Sequence, residues 1–451
     1  DTFVGFCCGH WSHYFDSTIE RNGEEFKSEG YLPDALTNHA IEFMRRHRGE
    51  PFLCYLPLNT PHSPFQVPDA FYRRFEDHPL PLRATHPEKE DLCKTRAALA
   101  MCENIDANVG RAVDALDELG LGDDTIVIYL SDNGPNSWRW NGGMEGRKGS
   151  SDEGGVRSPC SVTWPGRIAP GTRIDRIAGA IDLLPTLCDM CGISVEEGAA
   201  LDGLSLRALL CGEVDAKAWP DRRIFARQTR RPPTVSVRTQ EFRAGGEQGG
   251  LYRLLEDVGQ QRDLSEALPA EHAKLTKTIA DWTADVGRAG APPALPVGYA
   301  EFPRTDIPTQ DATLHGGMER SSIHPNCSYI IHWTDPEAFL TWHIDVKRAG
   351  LYAVTAMYAC RERDVGSVLE VRFRDRSLRA VIDRPFESEP LVGCDRVPRD
   401  ESYEKPFTPI RLGDMELPAG RGDVTLHCVH KAGEEVCELR ALRLELTVFL
   451  T

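Results

Sequence analysis

The sequence predicts an α/β fold with a largely parallel sheet between helices, followed by a small α+β subdomain and a C-terminal β-sandwich. Up to about residue 215, segments with the apolar spacing of a helix alternate with short, fully apolar runs. Beyond residue 312 the apolar period changes to two and helical segments disappear. These two observations predict domains at 1–215, 216–287 and 313–451, with a linker over 288–312.

The size and charge of the chain exclude several classes of protein. Its 451 residues allow roughly three compact units. The net charge of −17 argues against nucleic acid or an anionic membrane surface as a partner. The longest apolar stretches, such as 125–130, are too short for membrane insertion. The 14 cysteines are scattered and show no zinc-ribbon spacing, so neither a structural zinc site nor a small disulfide scaffold is indicated, and the redox compartment stays open.

The first domain opens with two pairs of a helix and a strand. Apolar residues recur at helical spacing over residues 33–48, which lead into the apolar run Phe52–Leu56, predicted as a buried strand. The pattern repeats over residues 95–119, and Gly120 separates this helix from the apolar strand Ile126–Leu130. Strands that are apolar at every position are typical of a parallel sheet covered on both faces.

A glycine-rich loop and two further elements complete this domain. The loop covers residues 142–155 and precedes a predicted strand at Cys160–Trp164. A helix is then predicted from about Asp182 to Cys191. The domain closes near residue 215.

The remaining chain divides by composition. Residues 216–287 contain short β-type runs and then a helix over about 270–286, which predicts a small α+β subdomain. Residues 288–312 are rich in proline and suit an extended connector. Residues 313–451 carry half-buried strands and predict a β-sandwich. Five of its aromatic residues could include a sugar-stacking platform, but their alternation with Ile and Val favours the core: Tyr329, Trp333, Trp342, Tyr352 and Tyr358.

A pair of oxygen-bearing side chains follows the strand Ile126–Leu130. In open α/β sheets, ligands bind just beyond the carboxyl ends of strands. Asp132 and Asn133 supply one charged and one neutral oxygen there, which suits a hard divalent cation such as Ca²⁺ or Mg²⁺. The sequence Asp132–Asn133–Gly134 is also common as a plain turn, in which both side chains cap the local backbone.

Two other loops carry candidate catalytic side chains. His62 lies between Pro61 and Ser63 after the strand Phe52–Leu56, and an imidazole there can give a proton to a leaving alkoxide. Lys148 lies in the glycine-rich loop, where its ammonium can face an oxyanion. Each has an alternative interpretation: a solvated loop histidine and a flexible basic loop.

Six segments considered together carry a more specific signal. They read NTPHSPFQVP (59–68), ENIDANVGRAVDALDELGL (103–121), TIVIYLSDNGPN (125–136), RWNGGMEGRKGSSDEGGVRSPCSVTWPG (139–166), IDLLPTLCDMCGI (181–193) and LDGLSLRALL (201–210). In sequence, order and spacing they resemble the arylsulfatase family from about residue 14 to about residue 287. The resemblance implies a fold similar to that of alkaline phosphatase and the hydrolysis of sulfate esters. In that family a formylglycine, made from a cysteine or serine in a CxPSR-type motif, attacks sulfur while Ca²⁺ holds the sulfate oxygens.

The resemblance also implies roles for the candidate residues. Asp132 and Asn133 match two metal ligands, with Ca²⁺ expected and Mg²⁺ as an alternative. Lys148 matches the lysine that contacts sulfate and the leaving oxygen, and His62 matches the histidine near the leaving group. Both are therefore expected to be catalytic and to bind substrate. In the same block Glu153 and Arg157 are expected to hold the glycine-rich turn.

The sequence departs from the family pattern in its nucleophile. None of its cysteines is followed by proline at two positions and arginine at four, and the family's early pair of aspartates is missing as well. We therefore expect a chain that is truncated at its amino terminus, inactive on its own, and preceded in its parent reading frame by a CxPSR-type motif.

The expected function is that of a sulfatase acting on a sulfated carbohydrate or an aryl sulfate, in the periplasm or outside the cell. A weak resemblance of residues 315–449 to carbohydrate-binding sandwiches favours the carbohydrate. Two alternatives stay open: a phosphodiesterase or phosphonate hydrolase of the same superfamily, and a non-catalytic glycan-binding protein that kept the scaffold.

Overall fold

The computed structural model describes the following residues: 1–6, 13–195, 200–228, 233–287, 294–324 and 327–449. They form a mixed α/β region up to about residue 215, a small α+β unit and a large pair of sheets. No helix in these ranges is both long and apolar enough to cross a membrane.

The α/β region begins with a small antiparallel sheet and is then mainly helical. Its elements are β1 (Val4–Gly5), β2 (Thr18–Arg21), β3 (Glu24–Lys27), α1 (Leu32–Arg46), α2 (Asp69–Tyr72), α3 (Leu92–Glu118), β4 (Val127–Leu130), α4 (Glu153–Val156), β5 (Cys160–Thr163), α5 (Leu183–Cys191) and α6 (Arg207–Leu210). The predicted helices over 33–48 and 95–119 are thus present as α1 and α3. At the start of α3, the Asp91 carboxylate accepts a hydrogen bond of 3.0 Å from the Lys94 N–H.

The helices α1 and α3 pack against the first sheet. Ala97 and Met101 of α3 are buried with Leu32 of α1 and Ile19 of β2. This apolar cluster also contains Phe65, which follows the His62 loop. The helices therefore form the layer on which that loop rests.

The prediction of a buried strand at Phe52–Leu56 was wrong for the described structure. The segment is assigned to no helix and no sheet, and Leu53 and Tyr55 are 80% and 83% exposed. A fully apolar run predicts burial on both faces only if another layer covers each face. In the described residues one face packs towards α1 through Phe52, and the other meets solvent.

The largely parallel sheet is also not formed by the described residues of this region. β4 pairs with β5, and this pairing is antiparallel, with Val127 opposite Thr163. Both strands occupy the predicted positions, so the local pattern was predicted correctly and the pairing was not. Across all described residues, parallel pairing occurs between Leu295–Val297 and Phe339–Val346.

The α+β unit is a four-stranded antiparallel sheet with one helix. Its strands are β6 (Ile224–Gln228), β7 (Thr234–Arg238), β8 (Phe242–Gly245) and β9 (Leu251–Arg253), in the order β6-β7-β8-β9, and its helix is α7 (Pro269–Val286). The sequence pattern predicted all of these elements except β8. Leu275 of α7 is fully buried against Val237 and Leu251 of the sheet.

The C-terminal region consists of two sheets of six strands each in the described residues. The strands are β10 (Leu295–Val297), β11 (Arg304–Pro308), β12 (Thr313–His315), β13 (Glu319–Arg320), β14 (Ile330–Ile331), β15 (Phe339–Val346), β16 (Gly350–Ala359), β17 (Val368–Phe373), β18 (Arg376–Val381), β19 (Thr408–Leu417), β20 (Gly420–His430) and β21 (Glu438–Phe449). One sheet has the order β10-β15-β20-β17-β18 with β12 beside β15, and the other has the order β13-β14-β21-β16-β19 with β11 beside β21.

The two sheets enclose one large apolar core. Alternate residues of β15, including Leu340 and Ile344, are fully buried, as the period of two predicts. The aromatic residues expected in the core are all buried: Tyr329, Trp333, Trp342, Tyr352 and Tyr358. They are therefore not available as a sugar-stacking platform.

The prediction of an extended connector over residues 288–312 was wrong for its second half. β10 pairs with β15, and β11 pairs with β21, so both strands belong to the sandwich. Proline excludes a central strand position but is tolerated in edge strands, which is where Pro296 and Pro308 lie. Residues 288–293 of the predicted linker lie outside the described residues.

Candidate active site

The Asp132–Asn133 turn follows β4 and is built for a close backbone approach. The Gly134 N–H donates a hydrogen bond of 3.1 Å to the Gly155 carbonyl. A Cβ atom at residue 134 would lie 1.8 Å from the Gly154 carbonyl oxygen, so only glycine fits there. The turn is therefore pressed against the second half of the glycine-rich loop.

The same loop brings Lys148 back to this turn. The Lys148 N–H donates a hydrogen bond of 2.8 Å to the Pro135 carbonyl, two residues beyond Asn133. The Arg147 guanidinium donates one of 2.5 Å to the Asn136 carbonyl. These two contacts attach the loop at Arg147 and Lys148 to the chain just beyond the turn, which favours a fixed loop over the flexible alternative.

The loop that carries His62 is hydrogen-bonded to an earlier part of the α/β region. The buried Tyr14 hydroxyl donates to the His62 carbonyl at 3.0 Å. The His62 Nδ1 atom lies 2.6 Å from the Ser63 carbonyl oxygen. A carbonyl can only accept, so Nδ1 carries a proton, and Nε2 is the nitrogen that gains or loses one on titration.

The electrostatic surroundings of His62 connect it with the other two loops. Burial lowers the pKa of the imidazole, and the nearby Lys148 ammonium lowers it further. The Ser63 carbonyl and the carboxylates of Glu401 and Asp132 oppose this lowering of the pKa. The Lys148 ammonium and the Asp132 carboxylate thus lie near enough to His62 to change the pKa of its imidazole, which places the three predicted loops close together.

The Asp132–Asn133 turn offers part of a ligand set for a divalent cation. The Asn133 Oδ1 atom is buried and has no hydrogen-bond partner among the described residues, which is costly unless an ion or another donor satisfies it. Asp132 is exposed beside it. The pair fits as part of a site for Ca²⁺ or Mg²⁺, but Ca²⁺ takes about six to eight oxygen ligands. The described residues contain no group of three or more His, Cys, Asp or Glu side chains that could hold a metal ion.

A buried charged cluster holds the glycine-rich loop in place. Asp152 and Glu153 of this loop are 2% and 4% exposed, and Arg243 of β8 is 1% exposed between them. An Arg243 nitrogen lies 3.4 Å from a Glu153 oxygen and another 4.0 Å from an Asp152 oxygen. Gln260 adds two hydrogen bonds, accepting from the Glu153 N–H and donating to Asp152.

This cluster includes the pair that the family resemblance assigned to a structural role. An Arg157 nitrogen lies 3.5 Å from a Glu153 oxygen, in agreement with that expectation. Arg243 and Gln260 were missed by the sequence analysis. Nothing in the local sequence marks them, because they lie about a hundred residues from the loop and meet it only in the tertiary structure.

The sandwich supplies a third missed residue, Glu401. The Ser63 hydroxyl, next to His62, donates a short hydrogen bond to the Glu401 carboxylate. Glu401 lies in the segment between β18 and β19, 338 residues from Ser63. The pKa of Glu401 is lowered: burial acts against this, but the Ser63 hydrogen bond and the charges of His62 and His324 outweigh it.

The arrangement combines three chemical functions. It offers oxygen ligands for a cation, an ammonium group and an imidazole with a titratable nitrogen. Such a set stabilises negative charge on a tetrahedral anion and on a departing oxygen. Groups of these three kinds, placed close together, can bind a tetrahedral anion.

Comparison with known proteins indicates the family. The model of the sulfatase family matches residues 5–193, so this part of the chain is similar to sulfatases. An uncharacterized sulfatase, YdeN of Escherichia coli (strain K12), is 30% identical over 213 residues, which is 46% of this chain and 36% of that protein. Human arylsulfatase A is 43% identical over 113 residues, which is 24% of this chain and 22% of that protein.

Solved structures give the same result for the fold. The crystal structure of Ps i-CgsB matches with a TM-score of 0.56 and 26% identity, over 63% of this chain and 66% of that one. A putative sulfatase, yidJ of Bacteroides fragilis, matches with a TM-score of 0.52 and 19% identity, over 62% and 65% of the two chains. The chain spans about a third of the length of the curated relatives it matches first.

Proposed function

We propose that this chain is part of a sulfatase that hydrolyses sulfate esters at the site formed by His62, Asp132, Asn133 and Lys148. The observation that carries the proposal is the convergence of three loops. Lys148 is bonded through its backbone beside the Asp132–Asn133 turn, and the charges of Lys148 and Asp132 act on His62. The match of residues 5–193 to the sulfatase family model supports the same reaction class.

Each side chain has a proposed role in this reaction. Asp132 and Asn133 hold a divalent cation, Ca²⁺ in the first place and Mg²⁺ as the alternative, and the cation neutralises charge on the sulfate oxygens when bound. The Lys148 ammonium binds sulfate and the bridging oxygen. His62, protonated at Nε2, donates a proton to the departing alcohol. Lys148 and His62 thus contact substrate directly.

A formylglycine is the proposed nucleophile, and its hydrated aldehyde supplies the oxygen that attacks sulfur. No cysteine of this sequence lies in a CxPSR-type motif. We therefore propose that the nucleophile belongs to a part of the parent polypeptide outside this sequence. By the same reasoning this chain alone binds the anion but does not turn it over.

The proposed substrate is a sulfated carbohydrate, with an aryl sulfate as the simpler alternative. Ps i-CgsB, which is 26% identical to this chain over the matched region, was crystallised in complex with k-i-k-neocarrahexaose, an oligosaccharide. An exported location, periplasmic or extracellular, belongs to the same proposal, because a polymeric glycan does not cross a membrane. Cell fractionation tests that location.

Binding of inorganic sulfate by this chain tests the site without turnover. We expect sulfate to shift the His62 ring signals in an NMR titration and Lys148→Ala to weaken sulfate binding by about tenfold or more, the effect of one charge-assisted hydrogen bond. Lys217→Ala is the matched control, because Lys217 is exposed and distant in sequence from the three loops. Equal weakening by both variants would refute the site.

The parent polypeptide tests the reaction. We expect it to hydrolyse an aryl sulfate in preference to the matching aryl phosphate, and His62→Ala to lower kcat more for a poor leaving group than for a good one, because a poor leaving group needs the proton. A preference for the phosphate would favour a phosphodiesterase or phosphonate hydrolase. Glycan binding without hydrolysis would favour a non-catalytic protein.

A further inference from the structure

The loop between β18 and β19 packs on the α/β region beside His62. We call residues 395–403 the docking loop. The Arg396 N–H donates a hydrogen bond of 2.9 Å to the Phe65 carbonyl. The Gln66 side-chain amide donates one of 2.9 Å to the Asp395 carboxylate. Val397 is buried in the apolar cluster of the first helices. The sandwich is therefore attached to the His62 loop by backbone, polar and apolar contacts.

The docking loop is itself held rigidly. The Arg399 guanidinium donates to Asp395 at 2.8 Å and lies 4.2 Å from the centre of the Tyr403 ring. The Ser322 hydroxyl donates to the Asp400 carbonyl at 2.8 Å. Glu401 lies within this loop, between Asp400 and Tyr403, so the contacts of these neighbours hold the backbone that presents its carboxylate to Ser63.

We propose that Glu401 is a positioning residue that strengthens the preference of the His62 proton for Nδ1, because its carboxylate accepts the hydroxyl proton of Ser63. The Ser63 Oγ atom lies 3.3 Å from His62 Nδ1 and also contacts Glu401. A serine hydroxyl has one proton to donate, and a carboxylate can only accept it. With that proton directed to Glu401, the Ser63 oxygen can only accept from Nδ1.

Two acceptors then surround Nδ1, namely the Ser63 carbonyl at 2.6 Å and the Ser63 hydroxyl oxygen at 3.3 Å. The neutral ring is forced into the tautomer with its proton on Nδ1. Nε2 therefore changes its protonation, while Nδ1 does not. Without Glu401, the Ser63 hydroxyl can turn and donate to Nδ1, which stabilises the opposite tautomer with the proton on Nε2.

The tautomer does not depend on the proposed function, whereas its use in protonating a leaving alcohol rests on that function. When the neutral ring carries its proton on Nδ1, any further proton is gained and released at Nε2 alone. The structure thus assigns the sandwich a part in the site itself. The sequence predicted instead a carbohydrate-binding sandwich joined by an extended connector. In such a protein, substitutions in the sandwich would not change the tautomer of His62.

Nitrogen NMR of the ¹⁵N-histidine-labelled chain tests the proposal, with the His62 signals assigned by their loss in His62→Gln. Above the imidazole pKa, we expect the unsubstituted chain to show the Nδ1–H tautomer. Glu401→Leu removes the acceptor and should raise the Nε2–H fraction about three- to tenfold, as expected for one neutral hydrogen bond. Glu401→Gln keeps a carbonyl acceptor and should restore most of the Nδ1–H tautomer.

Two controls separate this role from loosening of the docking loop. Asp400→Leu places the same side chain at an exposed neighbouring position and should leave the tautomer unchanged. In a Ser63→Ala background, Glu401→Leu should have no further effect, because the hydroxyl that transmits it is gone. If Glu401→Leu does not fold, Glu401→Ala with and without added formate gives the same comparison, with formate supplying the missing acceptor.

The outcomes decide the matter independently of catalysis. An unchanged tautomer in Glu401→Leu, or an equal shift in Asp400→Leu, overturns the positioning role. Failure of sulfate binding, with the Glu401 effect intact, overturns the proposed function and leaves the positioning role in place.

Discussion

The sandwich and the α/β region solve the problem of burial in different ways. In β15 the apolar residues Leu340 and Ile344 are fully buried, because β15 has neighbours on both edges and a second sheet above it. The segment around Leu53 and Tyr55 is just as apolar, yet these side chains are 80% and 83% exposed in the described structure. An apolar run is therefore not enough to predict burial, because burial depends on the layers that cover the segment.

The comparison extends to how each region holds its important parts. The sandwich depends on a continuous apolar core, whereas the glycine-rich loop with Lys148 depends on a buried charged cluster around Arg243. Apolar packing tolerates substitutions in a graded way, while a buried charge without its partner is costly at once. The site region should therefore be more sensitive to single polar substitutions than the sandwich is.

Removal of Arg243 should give the largest effect. Arg243→Ala leaves the carboxylates of Asp152 and Glu153 buried without their shared cation, and we expect a loss of about 3–5 kcal/mol in the free energy of unfolding. Urea unfolding of the chain measures it. Arg227→Ala on the exposed side of β6 is the matched control and should change the value by less than about 0.5 kcal/mol. Similar losses for both arginines would remove the proposed contrast.

A pair of leucine substitutions tests the apolar side of the comparison. Leu340→Ala in the sandwich core should cost about 2–5 kcal/mol, because it creates a cavity among packed side chains. Leu53→Ala should cost less than about 0.5 kcal/mol, because that side chain already contacts water. The two values come from the same urea experiment, and a cost at Leu53 equal to that at Leu340 would show that Leu53 is covered in solution.

Val397 tests whether the two regions are energetically joined. It lies in the loop between the sandwich strands β18 and β19, but it is buried among the helices of the α/β region. Val397→Ala should cost about 1.5–2.5 kcal/mol from the lost methyl groups and the cavity. Hydrogen exchange at the amides of Gln66 and Val67 should accelerate with it. If hydrogen exchange accelerated only at amides of the sandwich, the two regions would instead be stabilised independently.

The smallest effect that we expect is a loss of folding stability at acidic pH. The pKa of Asp395 is lowered: burial alone would raise it, but hydrogen bonds from Arg399 and Gln66 and the charge of Arg399 outweigh burial. A carboxyl group whose pKa is lower when folded stabilises the protein above its unfolded pKa of about 4, and this contribution is lost as the pH falls through the folded value. The contact between Asp395 and Gln66 should weaken in that range.

Asp395→Asn supplies the comparison for this pH effect. The difference in stability between the parent chain and Asp395→Asn, measured by urea unfolding from pH 6 to pH 3, should shrink as the pH falls. A difference that stays constant over this range would show that ionisation of Asp395 does not contribute to docking of the loop.

The local structure could be predicted well from the sequence. The helices α1, α3 and α7 lie within a few residues of their predicted positions, because apolar spacing and capping residues act over one or two turns. The period of two identified β15 and the buried aromatic residues of the sandwich. The edge strands β10 and β11 were missed, because their prolines suggested a connector, although proline is compatible with an edge.

The candidate site could be predicted in part. His62, Asp132, Asn133 and Lys148 were identified from their places after predicted strands and from family resemblance, and the structure brings their loops together. Their roles in binding a cation and sulfate remain predictions. Glu401 could not have been found, because only folding brings a sandwich loop next to Ser63.

The sequence by itself determined the positions of the main helices and of most strands, and it indicated the loops that carry the candidate site residues, since these properties depend on neighbours within a few residues. Only the tertiary structure decided which extended segments are buried, which strands pair in which direction, and which distant charges surround the site. The physical reason is that burial, pairing and electrostatic interaction act through space, between groups that the sequence separates by hundreds of residues.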